Sequence, residues 1–147
     1  METEVAIIGA GTAGLAVAMF LAEKGIRFIC IDKMKEIPTI TTHCGYSWVD
    51  LQKKYNFSDK IWLQKYNKFI VHLPNFQINA TLPPQIQKNA GYIDRNRLYI
   101  EMHGRALKTG KFLVGQHFKN EHLKKNGEIN QLETTSYKIK AKIFVDC

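Results

Sequence analysis

Residues 5–32 constrain the fold of this chain more than any other stretch. Val5-Ala6-Ile7-Ile8 is an apolar run, and Gly9-Ala10-Gly11-Thr12-Ala13-Gly14 follows it with three glycines. Small and apolar residues continue to Ala22, and Phe28-Ile29-Cys30-Ile31 rises again before Asp32. The order reads as a buried strand, a tight turn, a helix and a second strand ending in an acid. Each part has a separate task in holding a dinucleotide. Gly9 permits the turn out of the strand, Gly11 lets the backbone approach a pyrophosphate, and Gly14 lets the helix pack closely on the strand. The free N–H groups of Thr12 and Ala13, at the helix start, face the phosphates. Asp32 stands where a carboxylate accepts ribose hydroxyl protons, with Lys33 beside it to reach the same ribose or face water. An anion there repels a 2′-phosphate, so the expected ligand is FAD or NAD and not NADP.

Length and composition narrow the class further. A chain of 147 residues with a hydrophobic fraction of 45% holds one domain with a core of its own. Val5 to Ala22 is uncharged, yet Glu2 and Glu4 stand where a signal peptide needs a basic flank, and the glycines break the run. We therefore expect no targeting or transmembrane segment and a cytoplasmic location. Cys30, Cys44 and Cys147 are odd in number and lack metal-ligand spacing, which suits a reducing compartment. The five histidines supply no ligand set either, so no metal is expected. The net charge of +8 is mostly scattered lysine, a solvated surface that also favours phosphates or an acidic membrane at its periphery. No nucleic-acid motif or basic, aromatic-interleaved stripe is present, so nucleic acid is not an expected partner.

Beyond Asp32 the pattern predicts a loop over Lys33 to Ser47 and two short helical pieces from Trp48 to Tyr66. Phe69, Val71 and Leu73 then alternate with polar neighbours, Pro74-Asn75 turns the chain, and Ile78, Ala80 and Leu82 alternate again: an inserted antiparallel hairpin over about residues 66–83. Asp94 is placed to cap a helix carrying Leu98, Met102 and Ala106 on one face, with Gly110 closing it. Lys111 to Phe118 reads as a strand, Asn126-Gly127 as a hairpin turn, and Tyr137 to Val145 as a final strand. The expected architecture is α/β: a Rossmann-like dinucleotide-binding domain with an inserted hairpin and a terminal β-meander. It lacks the regular strand–helix repetition of a simple NAD domain, which makes FAD the better cofactor.

Four features together resemble the geranylgeranyl reductase family of FAD-dependent oxidoreductases. Gly9-Ala10-Gly11-Thr12-Ala13-Gly14-Leu15 is similar to that family's FAD fingerprint, with Thr12 where proline is usual. Cys44-Gly45-Tyr46-Ser47 stands in place of its cysteine-led loop beside the flavin, with Ser47 in place of a second glycine. Asp94-Arg95, Leu98 and Met102 resemble its D-R helix, whose arginine contacts FAD. Gly115-Gln116-His117-Phe118, Asn126-Gly127 and Ala141 to Asp146 resemble its later strands. The resemblance implies FAD contacts at Cys44, Gly45, Ser47 and Arg95, main-chain contacts to adenine at Phe118, and a catalytic role for Cys44 against the isoalloxazine. It implies reduction of isoprenoid double bonds by hydride from reduced FAD, with an isoprenoid lipid as substrate. The family continues beyond the point matching Cys147 into its catalytic half, so residues 1–147 correspond to an N-terminal FAD-binding part, inactive alone. An aromatic-hydroxylase type of FAD-dependent monooxygenase shares the first and last motifs, and a non-catalytic nucleotide-binding fragment is the third reading.

Overall fold

The computed structural model describes residues 1–37, 45–47 and 49–147. In chain order the elements are β1 (Val5–Ile8), α1 (Thr12–Glu23), β2 (Phe28–Ile31), β3 (Gly45–Ser47), α2 (Leu51–Tyr55), a 3-10 turn (Asp59–Ile61), β4 (Trp62–Lys65), β5 (Lys68–Leu73) and β6 (Phe76–Thr81). They continue with α3 (Pro84–Gln87), β7 (Gly91–Ile93), α4 (Arg95–Ala106), β8 (Gly110–Leu113), β9 (Phe118–Leu123), β10 (Ile129–Thr134), β11 (Lys138–Lys140) and β12 (Ile143–Asp146). The chain divides into two compact units, Met1–Ile40 with Tyr99–Cys147, and Thr41–Leu98.

The first unit is built on a parallel sheet of order β12-β1-β2-β8. Its central strands are short, apolar and buried on both faces, as parallel strands under cover on both sides must be. On one face lies α1, which buries Leu15, Ala18, Met19 and Ala22 at helical spacing. On the other, Ala6, Ile29 and Ile31 pack on Leu132 and Ile139 of the antiparallel sheet β11-β10-β9. The meander is thus a third layer that closes the core. Gly127, at φ +84°, makes the β9–β10 turn that Asn126-Gly127 predicts. Two side-chain bonds from α4 hold the ends of α1: Tyr99 to Thr12 and Arg105 to Glu23. Arg105 is half-buried in that ion pair.

The second unit has two small antiparallel sheets, β3-β7-β4 and the hairpin β5-β6. The hairpin pairs Lys68 with Thr81 through Leu73 with Phe76, as the alternation predicts. Asp94 caps α4, its Oδ1 accepting from the N–H groups of Asn96 and Arg97 at 3.0 and 3.1 Å. Leu98, Met102 and Ala106 are all buried.

Several boundaries differ from expectation, each for a tertiary reason. The expected second helical piece before Tyr66 is one 3-10 turn and then β4, because β7 offers a pairing edge. Residues 45–47 form β3 and are not loop, paired to the other side of β7. Gly110 does not close α4. It opens β8, where a Cβ would collide with the ring of Phe28. The expected strand Lys111 to Phe118 is broken at Gly115, φ +65°. Tyr137 to Val145 is likewise two strands, β11 antiparallel to β10 and β12 parallel to β1. Among the described residues no helix is long and apolar enough to cross a membrane.

Candidate functional site

The site of the first unit is assembled where β1 and β2 end side by side. Their parallel register pairs Ile8 with Ile31 and is prolonged by the bond from Gly9 N–H to the Ile31 carbonyl at 2.8 Å. That register sets Asp32 beside the glycine turn. Gly9 sits at φ +94°, a conformation open to glycine, and its Cβ would overlap the carbonyl oxygen of Cys147. A Cβ on Gly14 would overlap the Gly9 carbonyl, so the third glycine is what allows α1 to seat on β1. Gly11, the N-cap of α1, is different. At φ −70° it has ordinary backbone, and a Cβ there meets no atom within 4 Å. Its side of the turn opens toward a cleft, not the core.

The Asp32 carboxylate is pinned by two main-chain donors. Oδ2 accepts from Ala10 N–H at 2.6 Å, and Oδ1 accepts from Met34 N–H at 2.7 Å. These are charge-assisted bonds that lock its orientation, and each oxygen keeps acceptor capacity for a hydroxyl proton. A carboxylate held with free lone pairs at the end of a strand is what a ribose diol needs.

The cleft has a volume of about 380 Å³ and is lined by Ile8, Gly9, Gly11, Ile31, Asp32 and Lys33 from the two strand ends, and by Gln116, His117, Phe118 and Cys147. That volume is at the low end for ligand sites and fits the nucleoside portion of a dinucleotide. Lys33 and Phe118 thus line the same cleft as Gly9, Gly11 and Asp32. Gln116, His117 and Cys147 are additional. Gln116 is anchored by its Oε1, which accepts from Thr134 Oγ1 and from Ser136 N–H, both at 3.1 Å. Its own N–H donates to the Asp32 carbonyl at 2.9 Å, so the loop after β8 is tied to the acid-bearing strand. Thr12 starts α1 with its hydroxyl bonded to Tyr99, leaving its main chain as the part available to a phosphate. The structure leaves Ala13 N–H in the first turn of α1, where helix N–H groups lack intrahelical partners.

Cys30 lies under the turn and donates to the Gly9 carbonyl at 3.6 Å. Burial, with Asp32 and Cys147 nearby, pushes its thiol up to about 12. It is a core group, as expected of a residue on a buried strand. Burial also raises the Cys147 thiol. Gly45, Ser47 and Arg95 belong to the second unit. There Gly45 faces Ile93 and Arg95, a Cβ on it lying 3.0 Å from Ile93 Cγ1 and 3.3 Å from Arg95 Cγ. Ser47 is buried, its hydroxyl donating to the Val49 carbonyl at 3.0 Å. Cys44 lies outside the described residues. Among the described residues no group of three His, Cys, Asp or Glu side chains could hold a metal ion.

Comparison with known proteins agrees with this geometry. Residues 2–42 match a family model described as an FAD binding domain. No curated protein matches the chain. Among solved structures, a geranylgeranyl bacteriochlorophyll reductase-like protein from Thermoplasma acidophilum superposes with a TM-score of 0.76 at 16% identity, over 99% of this chain and 39% of that one. PqsL of Pseudomonas aeruginosa, in complex with 2-aminobenzoylacetate, gives 0.76 at 11% identity, over 98% and 42%. The anhydrotetracycline hydroxylase OxyS of Streptomyces rimosus gives 0.75 at 18%, over 100% and 32%. The chain thus spans about two fifths of the length of the first two structures. Its fold is the Rossmann-like FAD-binding α/β fold, and FAD is the cofactor that the turn, the pinned acid and the cleft accommodate.

Proposed function

We propose that residues 1–147 are the FAD-binding part of a flavin-dependent oxidoreductase that reduces isoprenoid double bonds, as geranylgeranyl reductases do. The observation behind the FAD-binding part is the Asp32 carboxylate, hydrogen-bonded through both oxygens beside the Gly9–Gly14 turn. The reductase part is supported by the ordered family motifs and by the superposition of nearly the whole chain on a reductase-like protein. Bound FAD supplies the hydride chemistry, and the protein supplies orientation and electrostatics. The main-chain N–H groups of Gly11, Thr12 and Ala13 hold the pyrophosphate, Asp32 takes the ribose hydroxyls with Lys33 at its side, and the main chain of Phe118 meets the adenine edge. Family resemblance assigns Gly45, Ser47 and Arg95 to FAD as well, and Cys44 to the flavin ring as a proton source. A second reading, an FAD-dependent monooxygenase, is supported by the likeness to OxyS, a hydroxylase, at nearly the same TM-score.

The test is equilibrium titration of the purified chain with FAD, followed by incubation with reductant and either an isoprenoid lipid under argon or an aromatic acid in air. We expect FAD binding in preference to NADP and, with residues 1–147 alone, no turnover above free flavin. Equal affinity for NADP would overturn the assignment of Asp32. Hydroxylation of the aromatic acid would decide for the monooxygenase, and reduction of the isoprenoid would show that this chain suffices for catalysis.

A further inference from the structure

The segment between β8 and β9 carries a side chain that ties three elements of the first unit together. After Gly115, at φ +65°, residues 116 and 117 belong to neither strand. On one side their course is set by the end of β2. Gly115 N–H donates to the Met34 carbonyl at 2.8 Å, and Gln116 N–H donates to the Asp32 carbonyl at 2.9 Å. On the other side it is set by the turn between β10 and β11. There His117 N–H donates to Thr135 Oγ1 at 3.2 Å, and Thr135 N–H donates to the His117 carbonyl at 3.0 Å. The Gln116 carboxamide completes this strap. Its Oε1 accepts from Thr134 Oγ1 and Ser136 N–H, and Tyr137 N–H donates to the same Thr134 hydroxyl at 3.0 Å. A main-chain N–H is only a donor, so the bond from Ser136 requires the carboxamide to turn its oxygen to the turn.

The consequence lies in the cleft, which Asp32, Gln116 and Phe118 line together. Through its N–H, Gln116 holds the residue that carries the ribose-binding acid. Two positions later, Phe118 offers the main chain assigned to adenine. A nucleoside has a fixed reach from ribose to base, so both ends bond at once only where that spacing is held. A loop already held in its bound course costs less ordering when the ligand enters. The anchor itself lies outside the ligand's reach: Thr134 is buried and does not line the cleft.

We infer that Gln116 is a positioning residue for the adenosine end of FAD. Its carboxamide oxygen locks residues 116–118 between the end of β2 and the β10–β11 turn, which preorganises the cleft. The inference rests on the FAD reading of this cleft and adds to it a residue that acts through the scaffold.

Titration of the full chain with FAD, with AMP as competitor and a thermal melt of every variant, tests it. Gln116→Met keeps the length of the side chain and removes the acceptor. It should weaken FAD and AMP by the same factor, about tenfold, for the loss of two neutral hydrogen bonds. Thr134→Val removes one donor without touching the cleft lining and should weaken both ligands by a smaller factor. Thr134→Ser keeps the hydroxyl and should bind like the parent. The double variant Gln116→Met/Thr134→Val should bind no more weakly than Gln116→Met, because the two side chains act as one clamp. If Gln116→Met does not fold, the two Thr134 variants decide the matter. Three results would overturn the inference: affinity for FAD unchanged in folded Gln116→Met, whatever its melting temperature; a loss for FAD without a loss for AMP; or Thr134→Val binding like the parent. A parent chain that binds no FAD would end the cofactor reading and the clamp with it, whereas a binding parent with unaffected variants would end the clamp alone.

Discussion

Substitution of Gly11 separates folding from cofactor binding, because the three glycines of the turn do different things. A side chain at Gly9 requires a left-handed φ and collides with the Cys147 carbonyl; one at Gly14 collides with Gly9 itself. Either variant loses binding through damage to the fold and says nothing about a ligand. Gly11 has neither problem, since its backbone is ordinary and the Cβ position is open. Gly11→Val therefore costs the fold only the weaker N-cap preference of valine, about 1 kcal/mol, or a few degrees in Tm. Its effect on FAD is larger. On the proposed placement of FAD, the valine methyls occupy the space from which a pyrophosphate reaches the first N–H groups of α1. A charge-assisted hydrogen bond is worth about 1.5–3 kcal/mol, so losing two of them weakens binding by roughly 3–6 kcal/mol, on the order of a hundredfold to ten-thousandfold. Titration by flavin fluorescence, paired with a thermal melt of each variant, measures both quantities. If Gly11→Val binds FAD like the parent while melting normally, the pyrophosphate does not sit at this turn. If its melting point collapses, the structural account of Gly11 is wrong.

Three further outcomes are expected. Arg95→Ala should weaken FAD binding by about 1.5–3 kcal/mol if its guanidinium meets the cofactor, measured by the same titration, and no change would remove Arg95 from the site. The Cys30 thiol, pushed to about 12 from an ordinary 9.0, should resist iodoacetamide at pH 8 until the chain is denatured, read by peptide mass spectrometry. Because its folded value lies above the unfolded one, the folded state holds a proton that the unfolded state gives up. Its contribution to stability is therefore full below pH 9 and declines as pH rises toward 12, a loss that Cys30→Ala should remove in urea melts across that range. Finally, Asp94→Ala frees the N–H groups of Asn96 and Arg97 and should cost about 0.5–2 kcal/mol of stability by urea denaturation.

What could be read from the sequence was what local chemistry decides. The β1-turn-α1-β2 order follows from apolar runs and glycine spacing within 28 residues, and Asp32 falls at the end of β2 because the strand ends there. Turn residues and alternation marked both hairpins, and Asp94 with the Leu98, Met102 and Ala106 face marked α4. What the sequence could not decide depends on partners distant along the chain. Trp62 to Lys65 is a strand only because β7 lies beside it. The last apolar stretch divides because Lys138–Lys140 finds β10 while Ile143–Asp146 finds β1, which carries the Cys147 carbonyl to Gly9. Gln116 and His117 enter the cleft because Gln116 N–H meets the Asp32 carbonyl and its side chain meets Thr134 and Ser136. Thr12 meets Tyr99 from 87 residues away. Such pairings are chosen by burial and by hydrogen-bond satisfaction in the folded chain, so no window of neighbouring residues contains them.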